Sequence, residues 1–213
     1  MVMKKAVLFD FWGTLVQQGA YSPLKQTYRW LRPRMRFGEF VEKFERVTMT
    51  KPYDDQVMMF KTACEALNVP AKDWVIERLI GVWNKNKLLS TLYPETIEAL
   101  QDLKNKGIKI AIVSNTPKLS VDGVLEKFGL DKLFDAVCFS YDVGYLKTDT
   151  ELFDSTLQKL GVAKDEAVMV GDSLETDIAG AERAGVLAVL IDRKNTREYE
   201  NKILSLKEVE KFL

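Results

Sequence analysis

The chain has 213 residues, enough for one large domain or two smaller ones. Its 31 basic and 31 acidic residues cancel, which argues against nucleic acid as the main partner, since phosphate-backbone affinity needs excess Lys and Arg. There is no histidine, so the commonest general base and any Ser-His-Asp triad are excluded, and catalysis must rest on carboxylates, Lys, Tyr or hydroxyls. No run approaches the roughly 18 apolar residues of a membrane span. The opening Met-Val-Met-Lys-Lys has no signal-peptide apolar core. Cys64 and Cys138 lack a CxxC partner, so two reduced thiols in a cytoplasmic protein are expected.

Residues 4–10 read as a strand. Val7, Leu8 and Phe9 are apolar on both faces, as in a buried parallel strand, and the run stops at the carboxylate of Asp10. Residues 16–22 read as a polar turn, and Ser22-Pro23 opens a helix with Ser at the N-cap. Four amphipathic stripes follow. Leu24, Tyr28 and Leu31 share a face up to Pro33. Phe37, Phe40, Val41, Phe44 and Val47 keep i, i+3, i+4, i+7 spacing. Val57, Phe60, Cys64 and Leu67 repeat it, and Ile76, Leu79, Ile80 and Trp83 make the fourth. Short connections predict a small bundle.

After residue 90 strands and helices alternate. Pro94 opens a helix closed by Gly107. Ile108–Val113 is a strand ending in Ser114-Asn115. Val121, Val124, Leu125 and Phe128 mark a helix stopped at Gly129, and Ala136–Phe139 is a short strand. Thr148 with Glu151 has the spacing of a capping box before the Phe153, Leu157, Leu160 stripe. Ala167–Val170 is a strand running into Gly171-Asp172-Ser173. A helix carrying Ile178 and Ala181 stops near Gly185, Leu187–Leu190 is the last strand, and Ser205 with Glu208 caps a terminal helix.

Alternating strands and helices imply βαβ units and a parallel sheet with right-handed crossovers. The all-helical stretch interrupts that alternation after the first strand. The expected fold is therefore α/β: a Rossmann-like parallel-sheet core (residues 1–16 and 91–213) with an inserted all-helical, four-helix-bundle cap domain (residues 17–90).

Three strand ends carry polar residues: Asp10, Ser114-Asn115 and Gly171-Asp172-Ser173. The topology puts them on one sheet edge, where open α/β sheets bind ligands. Two carboxylates there suit Mg²⁺, which takes oxygen ligands and keeps positions for water and phosphate oxygens. Ser114 and Lys147 would supply donors to a phosphoryl group, and Asp177, one turn beyond Asp172, could hold Lys147.

The sequence resembles the haloacid dehalogenase superfamily of Asp-nucleophile hydrolases. Four stretches match in order: Phe9-Asp10-Phe11-Trp12-Gly13-Thr14-Leu15; Val113-Ser114-Asn115; Gly144-Tyr145-Leu146-Lys147; and Val170-Gly171-Asp172-Ser173 with Asp177 and Gly180-Ala181. The resemblance implies that Asp10 attacks phosphorus and forms an aspartyl-phosphate. It implies Mg²⁺ held by Asp10, Asp172 and the backbone carbonyl of Trp12, with Asp177 and Ser173 behind them. Thr14, Ser114 and Asn115 would position the phosphoryl group, and Lys147 would offset its charge.

Two departures stand out. Phosphatases of the superfamily carry a second Asp, the general acid and base, two residues after the nucleophile; here that residue is Trp12, whose indole cannot shuttle a proton at neutral pH. Dehalogenating relatives have an aromatic Tyr there, but they work without metal and lack the Gly-Asp pair that Gly171-Asp172 preserves. The third motif reads Lys147-Thr148-Asp149-Thr150 where Lys-Pro-Asp-Pro is common, with Thr148 expected to serve as the helix cap. The leading expectation is a Mg²⁺-dependent phosphatase of small phosphorylated molecules, favouring acidic leaving groups unless a cap residue such as Tyr21 or Tyr53 gives the proton. The alternatives are a 2-haloacid dehalogenase, with Arg29, Arg32, Arg34 or Arg36 clamping a carboxylate, and a catalytically weak Mg²⁺- or phosphate-binding protein. A monomer and a homodimer are both compatible with the sequence.

Overall fold

The computed structural model describes residues 3–19 and 21–213. In chain order the strands are β1 (Ala6–Phe9), β2 (Val16–Gln17), β3 (Thr91–Leu92), β4 (Lys109–Ser114), β5 (Ala136–Phe139), β6 (Ala167–Gly171), β7 (Leu187–Ile191) and β8 (Lys202–Ile203). The helices are α1 (Pro23–Leu31), α2 (Phe37–Thr48), α3 (Gln56–Ala66), α4 (Asp73–Leu88), α5 (Thr96–Asn105), α6 (Lys118–Val121), α7 (Val124–Lys127), α8 (Ser140–Val143), α9 (Thr150–Leu160) and α10 (Ala179–Ala184).

β1 lies inside a six-stranded sheet of order β5-β4-β1-β6-β7-β8, with every pairing parallel. Its residues are wholly buried, since both edges are paired and both faces are covered: Val7 lies opposite Ile110 of β4 and Val168 of β6. Alternate side chains leave opposite faces. Val7, Phe9, Ile110, Ile112, Val168 and Val170 join a core with residues of α5 and the C-terminal turns at 206–212. Ala6, Leu8, Ala111, Val113 and Met169 join another with residues of α9 and α10. The sheet is thus the middle layer of an α/β, Rossmann-like arrangement. Burying side chains such as Leu8 and Phe9 contributes about 1.5–3 kcal/mol each, which anchors the strands whose ends carry the polar groups.

Helices α1 to α4 lie between β2 and β3, which pair antiparallel with Val16 opposite Leu92. Phe40, Phe44, Phe60, Leu79 and Trp83 pack in a separate cluster among these helices. Trp83 Nε1 donates to Thr27 Oγ1 at 2.9 Å, so the buried indole leaves no donor unpaired. Ser22 caps α1 as expected, accepting from Lys25 N, and Asp55 caps α3.

Several elements differ from the sequence expectation. Val16–Gln17 is a strand and not part of a polar turn, because its partner lies at residues 91–92, and two residues show no periodicity. The helix expected through Val121–Phe128 is two short ones, broken where Gly123 takes φ 72°. The helix expected at Pro94 starts at Thr96, whose hydroxyl donates to the Leu15 carbonyl at 3.0 Å. β8 follows what reads as the last strand. Thr148 is not a helix cap. Asp149 holds the N-cap position, while the Thr148 hydroxyl is buried without a hydrogen-bond partner. The Asp149 carboxylate accepts instead from Leu146 N at 2.9 Å and from the Arg46 guanidinium of α2. Cys64 and Cys138 are buried and free, in different clusters. Among the described residues no helix is long and apolar enough to cross a membrane.

Candidate active site

The neighbouring strands β4, β1 and β6 end at the same edge, and their last residues lead straight into the polar groups. Asp10 follows β1 and continues the ladder, its N–H donating to Val170 O at 2.9 Å. Its side chain is almost closed off from water, with the residue 5% exposed. Thr14 Oγ1 donates to one carboxylate oxygen at 3.2 Å and Ser114 Oγ to the other, also at 3.2 Å. Lys147, 2% exposed, pairs with Asp10 and lies 2.6 Å from Asp177 Oδ1. Asn115 accepts from Lys147 N at 2.9 Å and donates to Glu45 Oε2 of α2 at 2.9 Å. Asp177 belongs to a wide π-type turn at Leu174–Ile178, a feature frequent at functional sites. Ser173 Oγ caps that turn by accepting from Thr176 N, and Ser173 N donates to Asp177 Oδ2 at 3.0 Å.

Glycines make this crowding feasible. Gly13 has φ 92°, and a Cβ there would run into the Asp172 carboxylate. A Cβ on Gly171 would overlap the Asp177 carboxylate, and one on Gly180 the Lys147 carbonyl. Only a residue without a side chain permits such approaches.

Oxygens of Asp10, Asp172 and Asp177 lie within 4.8 Å of one another. Burial pushes the Asp10 carboxyl up to about 6, the Lys147 charge opposing and the Asp177 charge assisting. Burial, then the charges of Asp10 and Asp177, push Asp172 up to about 7. For Lys147, burial works against the charge, but Asp10 and Asp177 prevail and hold the ammonium above its ordinary value. Three acids against one lysine leave a surplus of negative charge in a small space. Both Asp177 oxygens are already bonded, to Lys147 and to Ser173 N. Asp10 accepts from Thr14, Ser114 and Lys147, whereas the Asp172 carboxylate accepts no hydrogen bond among the described residues; together the acids make an all-oxygen donor set that fits Mg²⁺.

Trp12 does not bring a titratable group to the cluster. Its indole N–H donates to Thr116 Oγ1 at 3.2 Å, and its ring packs edge-on against Phe11 at 4.9 Å. Tyr21 is exposed, and Tyr53 uses its hydroxyl on the Val47 carbonyl. Arg29, Arg32, Arg34 and Arg36 are all exposed. Sequence reasoning missed three participants. Glu45 shares a helix row with Val41 and Thr48 at i, i+4, i+7, so a carboxylate on a half-apolar row was its available signal. Arg197 donates to the Asp172 carbonyl, and Arg193 to the Thr14 carbonyl at 2.9 Å, stacked 3.5 Å over the centre of the Tyr93 ring. Both come from the β7–β8 connection, where no local pattern marks them.

The polar groups gathered at the ends of β4, β1 and β6 stand where open α/β sheets bind their ligands. The chain belongs to the haloacid dehalogenase-like hydrolases, whose family model matches residues 4–185. It is 31% identical to ribulose-1,5-bisphosphate 5-phosphatase of Halopiger xanaduensis over 89% of this chain and 85% of that protein. It is 38% identical to pyrophosphatase PpaX of Bacillus cereus over 84% of this chain and 79% of that protein. The chain spans less than half the length of three further curated relatives that it matches. A haloacid dehalogenase-superfamily phosphatase from Thermococcus onnurineus superimposes with TM-score 0.64 at 30% identity, covering 98% of this chain and 97% of that one. Solved structures of this fold include phosphatases and dehalogenases alike, so the fold does not choose between the two chemistries.

Proposed function

We propose that the protein is a Mg²⁺-dependent phosphatase of small phosphorylated molecules, working through an aspartyl-phosphate on Asp10. The observation that carries this reading is the buried Asp10 carboxylate, aimed by Thr14 and Ser114 and lying beside the Asp172 oxygens. The relatives named as phosphatases support it. In this reading Asp10 attacks phosphorus and displaces the alcohol, and water then cleaves the acyl phosphate. On substrate binding Ser114 would turn its hydroxyl from Asp10 to a phosphoryl oxygen and Asn115 would donate its second amide hydrogen to another, with Lys147 offsetting their charge. Asp177 keeps the lysine in place, and Ser173 keeps Asp177 in place. Asp10, Asp172 and the Trp12 carbonyl would hold the metal, which would supply charge neutralisation at the phosphoryl group.

Residues 1–16 and 91–213 act as the core and residues 17–90 as a cap, with the β2–β3 pair as the joint between them. Two free, buried cysteines fit a cytoplasmic setting. A dehalogenase reading draws on Trp12 but leaves the clustered acids without a use, since like charges at close range repel. The test is a panel of phosphate esters and 2-haloacids with and without Mg²⁺, for the wild type and Asp10→Asn. Mg²⁺-dependent phosphate release that Asp10→Asn abolishes is expected. Metal-independent chloride release from 2-chloropropionate, with no phosphate release, would overturn the reading.

A further inference from the structure

A phosphatase must give a proton to its departing alkoxide, and the residues around Asp10 are all otherwise engaged. Asp10 is the nucleophile, Asp172 faces the cation position and Asp177 has both oxygens bonded. Lys147 is held charged between two acids. Trp12 offers only an indole N–H, which Thr116 takes. Of the two tyrosines of the helical segment singled out above, one is exposed and the other is spent on a carbonyl.

We propose that Glu45, projecting from α2 onto Asn115, is the general acid that Trp12 cannot be. This rests on the phosphatase reading and goes beyond it by naming the proton donor. Glu45 is only 8% exposed, an uncommon burial for a carboxyl without an ion pair. Asn115 Nδ2 donates to Oε2, while Oε1 has no hydrogen-bond partner among the described residues and is free to carry a proton. Asn115 is itself anchored by Lys147 N, so one amide ties the carboxyl of α2 to the motif that handles the phosphoryl group. The next residue along the helix, Arg46, clamps Asp149 with two hydrogen bonds. That clamp pins the turn of α2 from which Glu45 projects.

The charged groups around Glu45 are Lys147, Asp10 and Asp177 of the sheet edge and Arg46 of its own helix. Burial, assisted by the two acids and opposed by Asn115 and Lys147, pushes its carboxyl up to about 7. A general acid works best when poised near the operating pH. The steps balance. As an Asp10 oxygen bonds to phosphorus, the P–O bond to the substrate alcohol breaks and that oxygen takes the Glu45 proton. Water then attacks the aspartyl-phosphate, its proton leaves on the released phosphate, and Glu45 regains a proton from solvent, which restores the starting state.

The test compares a simple alkyl phosphate with 4-nitrophenyl phosphate, whose leaving group departs without a proton. Glu45→Gln keeps the size of the side chain and an acceptor for Asn115. It should lower kcat on the alkyl ester by about 10²–10⁴-fold while leaving the aryl ester within a few-fold. In the wild type, kcat on the alkyl ester should fall as pH rises through about 7, and the aryl ester should lack that limb. Titrations of Asp10 and Asp172 would move both esters together. Equal losses on both esters in Glu45→Gln, no loss on either, or identical wild-type pH profiles would overturn the proposal. A wild type that releases phosphate from neither ester is the separate signature of a failed phosphatase reading.

Discussion

Replacing Lys147 by Met tests whether the site is held by charge or by packing. The Lys147 ammonium is buried between two buried carboxylates. Removing one partner of such a group strands the others and costs about 3–5 kcal/mol. For a chain of this size each kcal/mol moves Tm by about 2–4 °C, so a fall of about 6–20 °C is expected. The sign of the pH dependence follows from the acids. Burial already raises the Asp10 carboxyl, and removing the ammonium takes away the charge that opposes this. Its folded pKa then lies further above the unfolded one, so stability is present in acid and lost as pH rises. The deficit should therefore be smaller at about pH 5 than at about pH 8. Scanning calorimetry in chelator, on wild type and Lys147→Met at both pH values, reads this directly. A variant melting within about 2 °C of wild type at the higher pH, or a deficit that grows on acidification, would refute the electrostatic account.

Three more outcomes follow from the same geometry. In the wild type, Asp10 and Asp172 are raised to about 6 and about 7. Metal-free protein should thus lose stability as pH climbs from about 4 through about 7, and Mg²⁺ should raise Tm more above that window than below it. A Mg²⁺ effect of equal size at both ends would contradict the acid cluster as its site. Gly180→Ala should drive a methyl group into the Lys147 carbonyl and cost about 1–3 kcal/mol or more by overpacking; an unchanged urea midpoint would count against that contact. Arg197→Ala removes the donor to the Asp172 carbonyl and should weaken Mg²⁺ binding by about 10–100-fold, as losing a supporting partner of a metal ligand does. Titration calorimetry showing undiminished affinity would mean the Asp172 loop holds its shape unaided.

Local patterns account for much of the core. The uninterrupted apolar run of Val7, Leu8 and Phe9 belongs to a strand paired on both sides, and an amphipathic stripe such as Phe40 and Phe44 belongs to a helix with one buried face. Such signals are short-range, so they are written within a few residues of where they act. Thr148 shows the limit. Its spacing to Glu151 has the form of a cap, yet a contact with Arg46, about a hundred residues away, recruits Asp149 and leaves the Thr148 hydroxyl unpaired.

The sequence by itself determined the parallel α/β framework and the strand ends at which Asp10, Ser114 and Asp172 stand, because short apolar runs and the alternation of strands with helices along the chain suffice to set both. Only the tertiary structure decided which charges meet. Glu45 touches Asn115 across 70 positions, and Arg197 reaches the Asp172 carbonyl across 25. Whether a carboxyl keeps its proton depends on the burial and neighbouring charges that such contacts create, and neither quantity exists until the chain has folded.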